Sequence, residues 1–159
     1  MTVPRSIDTA DALYRKVERT FYRRAVYRDD QLDWVFDVAV TAWHLVDWVA
    51  KERGTTLRST QNGLKTKCPA LAVCEQVCNG AKHFNRGGRH LQGFNVGTDV
   101  YVTEHLAGVS KLAIWPGDNA DVVLTPAVWI TDKDGKSWDA IDVFTKVVLF
   151  WQRELSIAT

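Results

Sequence analysis

Cysteine, proline and methionine are scarce in this chain of 159 residues, at three, four and one. Three cysteines (Cys68, Cys74 and Cys78) are an odd number, so no closed disulfide framework is expected. None of them forms the C-x-x-C pair of a zinc knuckle. Cys74 and Cys78 share a helix face, but His83 stands about 140° around the helix from Cys78. The thiols therefore read as buried and reduced, in a cytoplasmic protein. No run of about 18 apolar residues exists, which excludes a membrane span. The most apolar stretch, Leu32 to Ala50, is broken by Asp33, Asp37, His44 and Asp47. The opening, Met1 to Ser6, is polar and leads into a basic amphipathic stretch, which reads as no export signal. Excess charge is missing too: 20 Lys and Arg against 19 Asp and Glu leave +1, with no global pull toward nucleic acid or membrane. Neither G-x-x-x-x-G-K-[ST] nor G-x-G-x-x-G occurs, so the usual nucleotide loops are excluded. No serine or cysteine stands in a recognisable nucleophile context. Asp132 and Asp134 lack the other ligands of a calcium loop and read as a hairpin turn.

What is present is apolar bulk. Hydrophobic residues make up 46% and include seven tryptophans, enough for a real core in a single domain spanning 1–159. Charge is segregated. Residues 1–28 carry seven bases and three acids, and residues 29–50 carry five aspartates and no base. Residues 65–90 carry five bases and one acid, and residues 91–159 carry five bases and nine acids. A basic face built from the first and third segments is the candidate for RNA or another polyanion.

Periodicity orders the chain. Leu13, Val17, Phe21 and Ala25 predict a first helix over 9–28, capped by Asp8 or Thr9. Arg15, Arg19 and Arg23 occupy another of its faces. A second helix, 31–53, begins after an Asp30 cap and ends at Gly54. Its polar residues Asp33, Asp37, Thr41, His44, Asp47 and Lys51 form one stripe, which meets solvent or lines an internal groove. A polar loop over 54–66 leads to a third helix from Pro69 to His83, with Leu71, Cys74, Cys78 and Ala81 inward. Residues 85–98 form a glycine-rich loop. β-Branched runs at 99–104, 111–115 and 122–131 and a turn at Asp132–Gly135 predict hairpins over 99–138. A last helix, 139–156, packs Ile141, Phe144, Val148, Trp151 and Leu155 back on the bundle. The fold class is α+β: a small helical bundle of three helices (9–84), a β-hairpin subdomain and a C-terminal helix.

Two polar clusters stand out against this background. His44 and Asp47 are one turn apart, so the carboxylate can orient the imidazole and raise its basicity. Asn79 and His83 share a face of the third helix, with Lys82 beside them. If the two faces meet, the groove holds two imidazoles, a carboxylate, an amide and an ammonium, a set suited to a phosphate or to acid–base catalysis. In that reading His44 is the general base, Asp47 its orienter, His83 the acid and Lys82 the stabiliser of developing charge. Asn79, Arg86, Arg89 and His90 bind substrate, the last three from a loop able to wrap a phosphate. No cofactor is implied. A metal on His44, Asp47 and His83, with Asp37 as a fourth ligand, is a competing use of the same residues.

The combination H-x-x-D-W, N-x-x-K-H-F, a D-G hairpin and a tryptophan-bearing last helix resembles small bacterial and phage proteins, from about Trp34 to Leu155. It is also similar to the HEPN helical superfamily, and that likeness implies an RNase of a toxin or defence system. The superfamily's signature is an arginine, four to six residues, then a histidine on one helix. Here Arg86 and His90 enclose three residues within a glycine-rich loop. Two functions are expected. One is a phosphodiester hydrolase acting on RNA. The other is an interaction module (defence, antidefence or regulatory) that binds a protein partner or a second copy through tryptophan-rich and basic surfaces.

Overall fold

The computed structural model of the chain describes residues 7–23, 28–82, 94–96, 100–110, 125–132 and 134–156. Their order is α1 (Ala10–Tyr22), α2 (Arg28–Arg53), α3 (Leu57–Lys67), α4 (Ala70–Lys82), β1 (Phe94–Val96), β2 (Val100–Ser110), β3 (Thr125–Asp132), β4 (Ser137–Asp139) and α5 (Ala140–Glu154). The fold is α+β. Among these residues no helix is long and apolar enough to cross a membrane.

α1 and α2 form an antiparallel hairpin, and their ends show why. Thr9 caps α1 by accepting from the Ala12 N–H at 3.1 Å. The Ala10 N–H, a second unpaired donor of that turn, reaches Glu52 Oε1 at 2.7 Å, near the far end of α2. At the other end, the Trp34 indole N–H donates to the carbonyls of Thr20 and Phe21 at 3.1 and 3.3 Å. The start of α2 differs from the expected Asp30 cap. The helix opens at Arg28, so Asp29 and Asp30 lie within its first turn rather than before it. Its end is as expected. Gly54, at φ 62°, lets the Gly54 and Thr55 N–H groups return to the carbonyls of Lys51 and Ala50, satisfying the last turn.

Residues 54–66, expected as a polar loop, contain α3. Its sequence, LRSTQNGLKTK, has almost no apolar period, and Leu64 is its one buried residue. A Thr56 cap on Ser59 N and the Lys65–Glu75 ion pair at 2.7 Å hold it instead. Among the described residues the bundle before the sheet thus has four helices rather than three. In α4, Leu71, Val73, Cys74, Val77 and Cys78 are buried.

Among the described residues the sheet has four antiparallel strands in the order β1-β2-β3-β4. β1 falls inside the stretch expected to be a loop. The expected strand at 111–115 lies outside the described residues. The β3–β4 hairpin forms as the Asp-Gly turn predicts. Asp132 Oδ1 accepts from the Asp134 and Lys136 N–H groups at 3.0 and 2.9 Å, and Gly135 takes φ 80°. β4 runs directly into α5, whose cap is Asp139, accepting from Ile141 N at 2.8 Å. Ile141, Phe144, Val148 and Trp151 are buried as expected, and Leu155 is partly so. One hydrophobic cluster joins side chains of α1, α2, α3, α4, β3 and α5.

Candidate functional site

The α2 stripe is the solvent side of its helix. Asp33, Asp37, Asp47 and Lys51 are exposed, His44 is half-exposed, and Thr41 alone is buried. The helix period explains this, because Leu45, Val46, Val49 and Trp43 cover the remaining faces and are all buried. His44 Nδ1 and Asp47 Oδ2 are 3.2 Å apart, with their side chains 45% and 47% exposed. The expected imidazole–carboxylate contact therefore exists, in water rather than in a closed groove. Asn79 is exposed on α4, and among the described residues it makes no hydrogen bond to His44 or Asp47. Lys82 ends α4, but its side chain lies outside the described residues, as do His83, Arg86, Arg89 and His90.

Cys68, Cys74 and Cys78 are buried, and none is joined in a disulfide. Burial pushes the Cys74 thiol up. It also raises Cys68, although the Leu71 and Ala70 N–H groups and the charges of Arg153 and Lys146 act against it. Among the described residues no three His, Cys, Asp or Glu side chains are placed to hold a metal ion.

Among the described residues three tryptophans lie in the core. Trp34, Trp43 and Trp151 are no more than 5% exposed, and Trp48 is half-buried. α1 keeps its basic side chains outside. Arg15 pairs with Asp11 at 3.7 Å and Glu18 at 3.4 Å, and Lys16, Arg19 and Arg23 are exposed.

A groove with no counterpart among the expected sites lies between the start of α4, the β3–β4 hairpin and the outer face of α5. Its volume is about 720 Å³. Val73, Val143, Phe150 and Trp138 supply apolar lining, and Lys67, Lys136, Lys146 and Arg153 supply cations. Asp132 and Asp142 also line it, which leaves a formal excess of two positive charges. Lys146 pairs with Asp142 at 2.6 Å, and Lys67 reaches Glu154 at 3.1 Å. Lys136 sits over the Trp138 ring at 5.1 Å, and Arg153 Nε donates to the Leu149 carbonyl at 3.2 Å. Among the described residues neither Lys136 nor Arg153 has a carboxylate within ion-pair distance. One signal for this groove is present in the sequence. Asp142, Val143, Lys146, Leu149, Phe150 and Arg153 recur at helical spacing and form a second stripe on α5, beside the core stripe. No protein-family model matches the chain, and no curated protein and no solved structure matches it either.

Proposed function

We propose that the chain is a docking module whose groove receives a ligand with an apolar body and an anionic group. The observation that carries this reading is the cationic rim over an apolar floor. Val143 and Phe150 are nearly closed to water, while Lys136, Lys146 and Arg153 are exposed beside them. Its volume falls within the ~300–1,000 Å³ of ligand-binding clefts. An apolar surface next to uncompensated cations favours ligands that bury hydrocarbon while bringing the counter-charge. Burial of Trp34, Trp43 and Trp151 turns this interaction reading toward the groove, where Trp138 stands in the lining.

An anilinonaphthalene sulfonate, which brightens in apolar surroundings and carries one anionic group, is a direct probe. Fluorescence titration is expected to show saturable binding that weakens with salt. The double variant Lys136→Ala/Arg153→Ala should weaken it about tenfold, the equivalent of ~1.4 kcal/mol. Equal affinity in the two proteins overturns the reading.

The 3.2 Å contact of His44 with Asp47 favours a second reading, a phosphodiester hydrolase acting on RNA. His44 would be the base, His83 the acid and Lys82 the charge stabiliser, with Asn79, Arg86, Arg89 and His90 holding the substrate. His44→Ala should lower single-turnover cleavage of an RNA oligonucleotide by about 100-fold or more. Because His44 and Asp47 are both open to solvent, the same change should move stability by less than about 0.5 kcal/mol. Unchanged cleavage ends this reading.

A further inference from the structure

The docking surface has a complement elsewhere on the same chain. The outer face of α2 carries Asp33, Asp37 and Asp47 against Lys51, a formal excess of two negative charges with His44 neutral. The groove carries the opposite excess of two. Each surface also bears an apolar side chain that the monomer does not cover. Among the described residues five large hydrophobics are exposed, and Phe36 (40%) lies on the α2 face while Leu149 (48%) lines the groove. Asp33 and Asp37 are one helical turn apart, and Asp47 lies about 15 Å further along the axis. A convex helix with spaced carboxylates and an apolar side chain between them matches a groove with an apolar floor and a cationic rim.

We infer that the occupant of the groove is a second copy of this chain, docked through the outer face of its α2. The inference rests on the docking reading above and names the partner for it. Phe36 packs against Leu149 and the groove floor, and Asp33 and Asp37 meet the cations of the rim. Because the two patches differ, the contact is either mutual, in a two-fold dimer, or head-to-tail, in a ring or chain. Charge complementarity makes the association salt-sensitive, since exposed pairs are screened within about 8 Å at physiological ionic strength.

Two charge-reversed proteins test it. One carries Asp33→Arg/Asp37→Arg, giving two cationic surfaces. The other carries Lys146→Glu/Arg153→Glu, giving two anionic ones. In sedimentation velocity the wild-type chain should associate with rising concentration, more strongly at low salt. Each reversed protein should be monomeric alone, and the two should associate when mixed. Phe36→Ser, which alters no charge and removes only an exposed ring, should weaken wild-type association about tenfold. It carries the test if a reversed protein fails to fold. A monomeric wild type at low salt overturns the inference, and so does association that Phe36→Ser leaves unchanged. In either case, sulfonate-dye binding that still depends on Lys136 and Arg153 leaves the docking reading standing with another occupant. Dye binding that ignores them removes both. Capture of an acidic peptide by a wild type that does not self-associate also overturns the second copy as occupant.

Discussion

Trp151→Ala is expected to destabilise the chain by about 4 kcal/mol, lowering the melting temperature by roughly 8–16 °C. Trp151 is fully closed to solvent and is among the largest such side chains in the core. Its ring lies 5.3 Å from that of Phe150, so one residue backs the core and the next lines the groove. Truncation removes the indole's contacts and leaves a cavity that a core of helices can collapse into only partly. The indole N–H sharpens the test. Among the described residues it meets no hydrogen-bond acceptor, although it is buried. An unpaired buried donor costs about 1–3 kcal/mol, so Trp151 contributes through packing and against that cost. Trp151→Phe keeps an aromatic ring and deletes the donor, and it should cost about 1 kcal/mol or less. Chemical denaturation of the two variants compares them directly. If phenylalanine is as damaging as alanine, a ring at this position does not by itself restore the packing, and the full indole is required.

Glu154→Ala should cost about 2 kcal/mol, the second large effect. Glu154 ties together three helix ends. Its carboxylate accepts from Arg53 Nη1 at 2.9 Å, at the end of α2, and from Lys67 Nζ at 3.1 and 3.2 Å, at the end of α3. Its side chain is 13% exposed, whereas those of Arg53 and Lys67 are 43% and 58% exposed. Removing the acid leaves two cations facing each other, but their access to water keeps the loss below that of a fully buried pair. Burial alone would raise the Glu154 carboxyl. The hydrogen bonds and charges of Arg53 and Lys67 together outweigh burial and hold it below the usual carboxylate range. The depressed folded value sets the sign: the stabilisation is complete above the unfolded pKa and is lost as pH falls through the folded one. Glu154→Gln lacks this dependence. The stability gap between wild type and Glu154→Gln should therefore shrink as pH is taken from about 6 to about 3. A gap that stays constant assigns the effect to the hydrogen bonds and not to the charge. Glu154 also occupies Lys67, one of the groove's cations. The anionic dye should bind Glu154→Gln more tightly than wild type.

The elements with a strong apolar period were legible without the fold. α2, α4 and α5 could be placed from their apolar residues and helical spacing, with Gly54 marking the end of α2 and Pro69 the start of α4. The β3–β4 hairpin could be placed from Asp132 and Gly135, since the turn's conformation is set by local chemistry. The contact of His44 with Asp47 was equally local, because spacing on one helix determines it. α3 was not legible. Its residues lack a pattern, and what holds it is Leu64 in a core made by other helices and Lys65 on Glu75 of α4.

Spacing could not decide which side of a helix faces water. The α2 stripe reads the same whether it lines a groove or meets solvent, and only the packing of α2 against its neighbours made it the outer face. The groove shows the converse. Val143, Lys146 and Phe150 had the right period, but a period on one helix does not say what stands opposite. Lys67, Val73, Lys136 and Trp138 come from three other elements or their ends, more than 60 residues apart along the chain between Lys67 and Lys136. The sequence by itself determined the helices with an apolar period, the turn and the sign of each charged segment, because these depend on neighbours within a few residues. The tertiary structure alone decided which charges share a surface, because that depends on contacts between elements distant along the chain.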